Sequence, residues 1–244
     1  MSVTESDVAI VTGGGTGIGA AIAHCFAESG YRVLISGRRE SPLKLVATQF
    51  PDQITYVCAD VTSSNDRKKI LRIAIERFGK LDALINNAGV APMGAFVDTS
   101  DADFESAYLT NLVAPAAMIR EAVPHLSKTQ GAVVNISTAA ARAVLPGLSA
   151  YLSSKAALSH LTRLLAVELG PLGIRLNAVA PGATRTAMAD DIIASYGEDA
   201  IIAMTPLGRV GEPSDVAETV NYLAGRKSGW VTGQIVEATG GMLL

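Results

Sequence analysis

"VTGGGTGIGAAIA", residues 11–23, changes character twice in a short distance. It continues the β-branched run "VAIVTG" (8–13), passes through clustered glycines, and enters the helical spacing of "IGAAIAHCFAESG" (18–30). A strand, a tight turn and a helix in that order leave the first N–H groups of the helix without partners, beside the positive end of its dipole. Glycines allow a close approach of backbone to an anion there. The stretch therefore predicts the first unit of an alternating α/β chain.

The rest of the sequence repeats that alternation. Short apolar runs recur at "YRVLISG" (31–37), "ITYVCAD" (54–60), "LDALINNAG" (81–89), "GAVVNIST" (131–138), "IRLNAVAPG" (174–182) and "GQIVEA" (233–238). Helical patterns such as "DRKKILRIAIERFGK" (66–80) lie between them. Nearly continuous apolar strands belong to a parallel sheet covered on both faces. The order predicts an α/β fold: a doubly wound, seven-stranded parallel Rossmann sheet with helices on both sides. No repeat, low-complexity linker or composition break appears, so residues 1–244 are expected to form one domain. Residues 1–90 would serve mainly dinucleotide binding, and 91–244 the catalytic and substrate half.

Composition narrows the class. Hydrophobic residues make up 49% of the chain and the formal net charge is −3, without a long basic run. Nucleic acid and anionic membrane are therefore not expected partners. "MSVTESDVAI" lacks a basic leader and no segment reaches membrane-spanning length, so a cytoplasmic location is expected. Cys25 and Cys58 sit in separate apolar segments and are expected as buried free thiols. His24, His125 and His160 lie on helical patterns without metal-ligand spacing, and no metal is expected.

In such a sheet a ligand binds beyond the carboxyl ends of the strands. Those ends read Thr12-Gly13, Gly37-Arg38, Asp60, Asn86-Asn87-Ala88-Gly89, Ser137-Thr138 and Pro181-Gly182. Gly15-x-Gly17-x-x-Ala20 loosely satisfies the dinucleotide fingerprint, in its required place between a first strand and a helix. At the end of the second strand an acid would hold the ribose 2′-hydroxyl of NAD, whereas an arginine accommodates the 2′-phosphate of NADP. "ISGRRES" supplies Arg38 and Arg39 and no acid, which favours NADP(H).

"SAYLSSKAAL" (149–158) adds Tyr151 and Lys155, one helical turn apart on one face and just after the strand ending at Thr138. Together these residues resemble the classical short-chain dehydrogenase/reductase family, over essentially the whole chain. The family's T-G-x-x-x-G-I-G turn is matched by Thr12 to Gly19, its N-N-A-G by Asn86 to Gly89, and its helix Asn by Asn111 in "TNLVAP". Its Y-x-x-x-K is matched by Tyr151 and Lys155, and its P-G segment by Pro181 and Gly182, followed by Thr184 and Thr186. The resemblance implies a nicotinamide cofactor, a Tyr acid/base and a homotetramer with 222 symmetry. It implies cofactor contacts from Gly13, Gly15, Thr16, Gly17, Ile18, Gly19, Arg38, Arg39, Asp60, Val61, Asn87, Ala88, Gly89, Tyr151, Lys155, Pro181, Gly182, Thr184 and Thr186. The chain departs from the pattern at the family's catalytic Ser, where it has Thr138. Neighbouring Ser137 should face the other way, since successive strand side chains alternate.

A lysine charge about 5 Å from the phenol at an effective dielectric of 20 contributes roughly 3.3 kcal/mol, about 2.4 pKa units. Lys155 is thus expected to lower the Tyr151 pKa towards about 7.5, near the range where it can exchange protons with an alcohol or carbonyl oxygen. Thr138 would polarise that oxygen. By resemblance, Lys155 would also hold the nicotinamide ribose and Asn111 a relay water. The expected substrate is a moderately apolar, neutral carbonyl compound or alcohol. It should be bordered by 91–96, 142–149 and a lid at about 186–206. The alternatives are a 3-oxoacyl-carrier-protein reductase, for which only Lys128 offers basic character near the expected carrier surface, and a non-catalytic nicotinamide-binding sensor or scaffold. Intact Tyr151 and Lys155 speak against the latter.

Overall fold

A computed structural model describes residues 6–190, 193–194 and 197–243. Each apolar run becomes a strand: β1 (Val8–Thr12), β2 (Arg32–Gly37), β3 (Ile54–Cys58), β4 (Ala83–Asn86), β5 (Ala132–Ile136), β6 (Arg175–Pro181) and β7 (Ile235–Ala238). Between them run α1 (Gly17–Glu28), α2 (Glu40–Gln49), α3 (Ser64–Phe78), α4 (Asp101–Tyr108), α5 (Ala114–Thr129), α6 (Ser149–Leu169), α7 (Glu198–Ala203) and α8 (Pro213–Ala224).

The strands form one sheet in the order β3-β2-β1-β4-β5-β6-β7, and every pairing is parallel. Alternation along β1 assigns Ala9 and Val11 to one face and Ile10 to the other. The first face is covered by Ile22 and Phe26 of α1 with Val216, Val220 and Leu223 of α8. The second is covered by Ile70 and Leu71 of α3 with Met118 and Ala122 of α5. This two-sided burial is what nearly continuous apolar strands require. The strand order reverses between β1 and β4, and that crevice receives the glycine turn.

One element has no counterpart in the expected pattern. Between α4 and α5 the helix widens into a π turn, Leu109–Val113, centred on Asn111. Pro115 contributes locally, because it has no N–H to give the Asn111 carbonyl and its ring would collide with that oxygen in an α-helix. Insertions of this kind recur at functional sites.

Among the described residues no helix is long and apolar enough to cross a membrane. Both cysteines are free; Cys25 is buried, and burial together with Glu218 pushes its thiol up to about 12. Cys58 is only partly buried, against expectation, because it closes β3 at the outer edge of the sheet.

Candidate active site

The glycine turn is shaped by contacts that no side chain could share. A Cβ on Gly19 would lie 2.3 Å from the Gly13 carbonyl oxygen and 2.4 Å from Asn87 Nδ2. Gly13 has φ +66°, and its Cβ would press on the Ala88 backbone at 2.9 Å. Asn87 fastens this approach by donating from Nδ2 to the carbonyls of Thr12 (2.9 Å) and Gly13 (3.1 Å). The Thr12 hydroxyl accepts from the N–H groups of Asn87 and Ala88 at 3.0 and 3.1 Å. The "TG" of the first strand and the "NAG" of the fourth are therefore one interlocked unit. Helix α1 begins at this turn without a side-chain cap and without an acid in its first turn. Its uncapped N–H groups and positive dipole end fit a pyrophosphate.

From this turn a cleft of about 970 Å³ runs across the strand ends. Every expected cofactor-contacting residue lines it: the glycine turn, Arg38 and Arg39, Asp60 and Val61, Asn87 to Gly89, Tyr151, Lys155, Pro181, Gly182, Thr184 and Thr186. Thr138 joins them. Arg38 and Arg39 are exposed at the rim. Burial pushes the Asp60 carboxyl up, but hydrogen bonds from the Thr62 N–H (2.9 Å) and hydroxyl (2.7 Å), with the Arg38 charge, hold it below its ordinary range.

Around Tyr151 the strand and helix register separate the two hydroxyls as alternation requires. Ser137 is buried under α6, donating to the Lys155 carbonyl at 3.2 Å and sharing a 2.7 Å bond with Ser159. Thr138 points into the cleft, where its hydroxyl accepts from the Ala140 N–H at 3.3 Å and sits beside the Tyr151 phenol. Lys155 is buried and donates from Nζ to the Ile136 carbonyl at 2.6 Å. A Cβ on Gly89 would stand 3.5 Å from that Nζ and 3.2 Å from Asn111 Oδ1, so glycine leaves both groups room.

One expectation is corrected. Burial raises the Tyr151 pKa, while the neighbouring Thr138 hydroxyl pulls weakly the other way, so the phenol lies above its ordinary value instead of near 7.5. The same burial lowers Lys155 to about 8. Burial therefore moves the two groups in opposite directions, each towards its neutral form. Asn111, in turn, does not line the cleft. It is fully buried, with Oδ1 accepting from the Val90 N–H (3.0 Å) and Nδ2 donating to the Val90 carbonyl (2.9 Å) and Ser154 Oγ (3.0 Å). Ser154 Oγ donates onward to the Tyr151 carbonyl at 2.7 Å. The amide side chain is spent on fixing the segment after β4 to α6, and only its main-chain carbonyl is left by Pro115 without the α-helical donor.

The substrate end is wider than the sequence indicated. Ala91, Leu145 and Leu148 come from the expected borders, and Met188, Ile201 and Met204 from the expected lid. Lid positions 191, 192, 195 and 196 lie outside the described residues. Two further walls were missed: one face of α4 and the π turn (Ala102, Glu105, Ser106, Leu109), and Met242 with Leu243 after β7. The α4 residues keep helical spacing, but their mixed polarity reads as an ordinary solvent face. Among the described residues no cluster of His, Cys, Asp and Glu is suited to a metal ion.

A family profile described as enoyl-(acyl carrier protein) reductase matches residues 13–243. The 7alpha-hydroxysteroid dehydrogenase of Escherichia coli is 35% identical over 241 residues, covering 97% of this chain and 94% of that protein. A 3-oxoacyl-[acyl-carrier-protein] reductase of Rickettsia prowazekii is 34% identical over 236 residues, covering 96% of each. Among solved structures, a 3-ketoacyl-(acyl-carrier-protein) reductase from Brucella melitensis, complexed with NADH, superposes with a TM-score of 0.92. It is 28% identical, and the match covers 98% of this chain and 99% of that one.

Proposed function

The chain belongs to the classical short-chain dehydrogenase/reductase family, and from that premise we propose that it is an NADP(H)-dependent oxidoreductase interconverting a ketone and a secondary alcohol. The observation that carries this reading is the convergence of Thr138, Tyr151 and buried Lys155 in the cleft that also holds the interlocked glycine turn. The nicotinamide supplies and accepts hydride when bound. The protein's own part is positioning and proton management. The Thr138 hydroxyl donates to the substrate oxygen and orients it towards the phenol. Tyr151 gives its proton to that oxygen in reduction and takes it back in oxidation. Its raised pKa keeps the proton in place at neutral pH, which suits reduction. Lys155 holds the ribose hydroxyls and brings a positive charge to the phenol side of the site. Asn111 acts through its main-chain carbonyl, which would accept from a relay water. Arg38, with Arg39, meets the 2′-phosphate.

The resemblance also supports a cytoplasmic homotetramer without nucleic-acid or membrane partners. A carrier-protein reductase is the second reading, favoured by the names of two relatives and weakened by the few basic residues near the expected carrier surface. The test is a panel of ketones and alcohols with NADPH and NADH, run on the native protein and on Tyr151→Phe. Reduction should fall by about 10²-fold or more in the variant while NADPH still binds, because general acid catalysis contributes about 10² to 10⁴. Substantial turnover by the variant on the best substrate would remove Tyr151 from the mechanism.

A further inference from the structure

Three of the six methionines border the substrate end of the cleft, and they come from three separate segments. Met188 follows the turn at Thr186, Met204 ends α7, and Met242 lies beyond β7. All three stay partly or well exposed to the cleft, unlike Met118, which is fully buried in the core. Unbranched thioether side chains are apolar and polarisable and change rotamer cheaply, so a wall made of them conforms to differently shaped apolar bodies.

That wall is held from behind. Arg142, four positions after Thr138, grips Glu237 of β7 with Nε at 2.7 Å and a second nitrogen at 2.8 Å, and donates further to the Leu243 carbonyl. The Gly240 carbonyl accepts from the Leu207 N–H at 3.0 Å, joining the segment after Met204 to the segment before Met242. The turn between is close-packed: a Cβ on Gly241 would meet Pro206 at 2.7 Å. The catalytic loop, the end of the lid and the residues after β7 are thereby tied together.

Resting on the oxidoreductase reading, we propose that Met188, Met204 and Met242 are specificity-determining residues. They form an adjustable apolar wall for the non-reacting part of a bulky, uncharged ketone or secondary alcohol. Arg142 is a positioning residue that keeps Met242 in that wall through Glu237 and the Leu243 carbonyl.

The experiment compares cyclohexanone with the bicyclic 2-decalone on the native protein, Met242→Ala, Arg142→Gln, Arg142→Lys and the double variant Arg142→Gln/Met242→Ala. The selectivity ratio, kcat/KM for 2-decalone over that for cyclohexanone, should fall about tenfold in Met242→Ala, mainly through KM. That is the scale expected when part of a buried apolar contact is lost. Arg142→Gln should lower the ratio in the same direction, and Arg142→Lys should restore part of it. The double variant should match Met242→Ala alone, since two residues acting through one contact do not add. A ratio within twofold of native in Met242→Ala, or additive losses in the double variant, would overturn the proposal. Independently of turnover, 2-decalone should shift the methyl NMR signals of Met188, Met204 and Met242 in methyl-labelled protein and leave Met118 in place. Absence of those shifts would also overturn it. Shifts without reduction by either nicotinamide would uphold the wall and remove the oxidoreductase reading.

Discussion

At the end of β2 a glycine stands where an acid would favour NAD. Gly37 ends β2 beside Arg38, and a Cβ placed on it would meet only Leu43, at 3.5 Å, an ordinary contact. The backbone there accepts an aspartate without rebuilding. A hydrogen bond to a charged group is worth about 1.5–3 kcal/mol, so one arginine on a 2′-phosphate implies roughly 10- to 150-fold preference for NADPH. Exposure and salt push that figure towards its lower end. Gly37→Asp with Arg38→Leu should reverse the preference, because the new carboxylate repels phosphate and accepts from ribose hydroxyls. The ratio of kcat/KM for NADPH and NADH at one ionic strength measures it, and a native ratio at or below one would overturn the NADP assignment. Lys155 sets a second expectation. Burial lowers its pKa to about 8, so its ammonium is present below that pH and lost above it. The Tyr151 phenol, raised above its ordinary value, still holds its proton there. Reduction should therefore be flat through neutrality and decline above about pH 8 because Lys155 loses its charge. In Lys155→Arg, which stays protonated, the plateau should drop but the decline near pH 8 should vanish. A decline that persists would assign it to another group.

The elements differ in how plainly the sequence announces them. All seven strands stand within the apolar runs, six of which end in Gly, Asp or Thr, because a two-sided parallel sheet imprints continuous burial on its strands. The turn at Thr12–Gly19 and the Asn87–Gly89 segment were legible for a similar reason: their glycines are dictated by contacts as close as 2.3 Å. The π turn was not legible. Leu109 to Val113 read as ordinary helix, and the widening is stabilised by bonds from Asn111 to Val90 and Ser154, partners distant in sequence. Pro115 was the one local signal. Nor did "SAYLSSKAAL" reveal how burial would divide its two pKa values, since that depends on what covers the helix. The π turn carries its own prediction. Asn111→Ala would leave the Val90 N–H and carbonyl without their partner at a buried site, while the Ser154 hydroxyl loses one bond and keeps the one to the Tyr151 carbonyl. Each unsatisfied buried group costs about 1–3 kcal/mol, less what water regains, so a loss of about 3 kcal/mol is expected. Urea unfolding measures it. A loss below about 1 kcal/mol would mean that Asn111 does not hold the turn.

At the scale of the molecule, the helical layer beside the cleft carries more apolar surface than one chain can use. α6 buries Ala150, Leu152, Leu158 and Ala166 while presenting Leu164 and Val167, the latter 78% exposed, on its outer side. The neighbouring π turn, which packs against α6, leaves Val113 half exposed as well. Exposed apolar side chains on the outer side of a helix are candidates for an interaction surface. Closed symmetric assemblies are the usual outcome for identical chains, and 222 symmetry uses each such face twice at an isologous contact. The native protein should therefore sediment as a tetramer at micromolar concentration. Val167→Asp places a carboxylate in the contact, and symmetry places it there twice. An unpaired buried charge costs several kcal/mol after relaxation, so two exceed what a contact of ordinary size can absorb. The variant should sediment as a dimer held by the remaining interface, with each chain still binding NADPH. A native monomer would refute the tetramer, and a Val167→Asp protein that remains tetrameric would move the contact off this face.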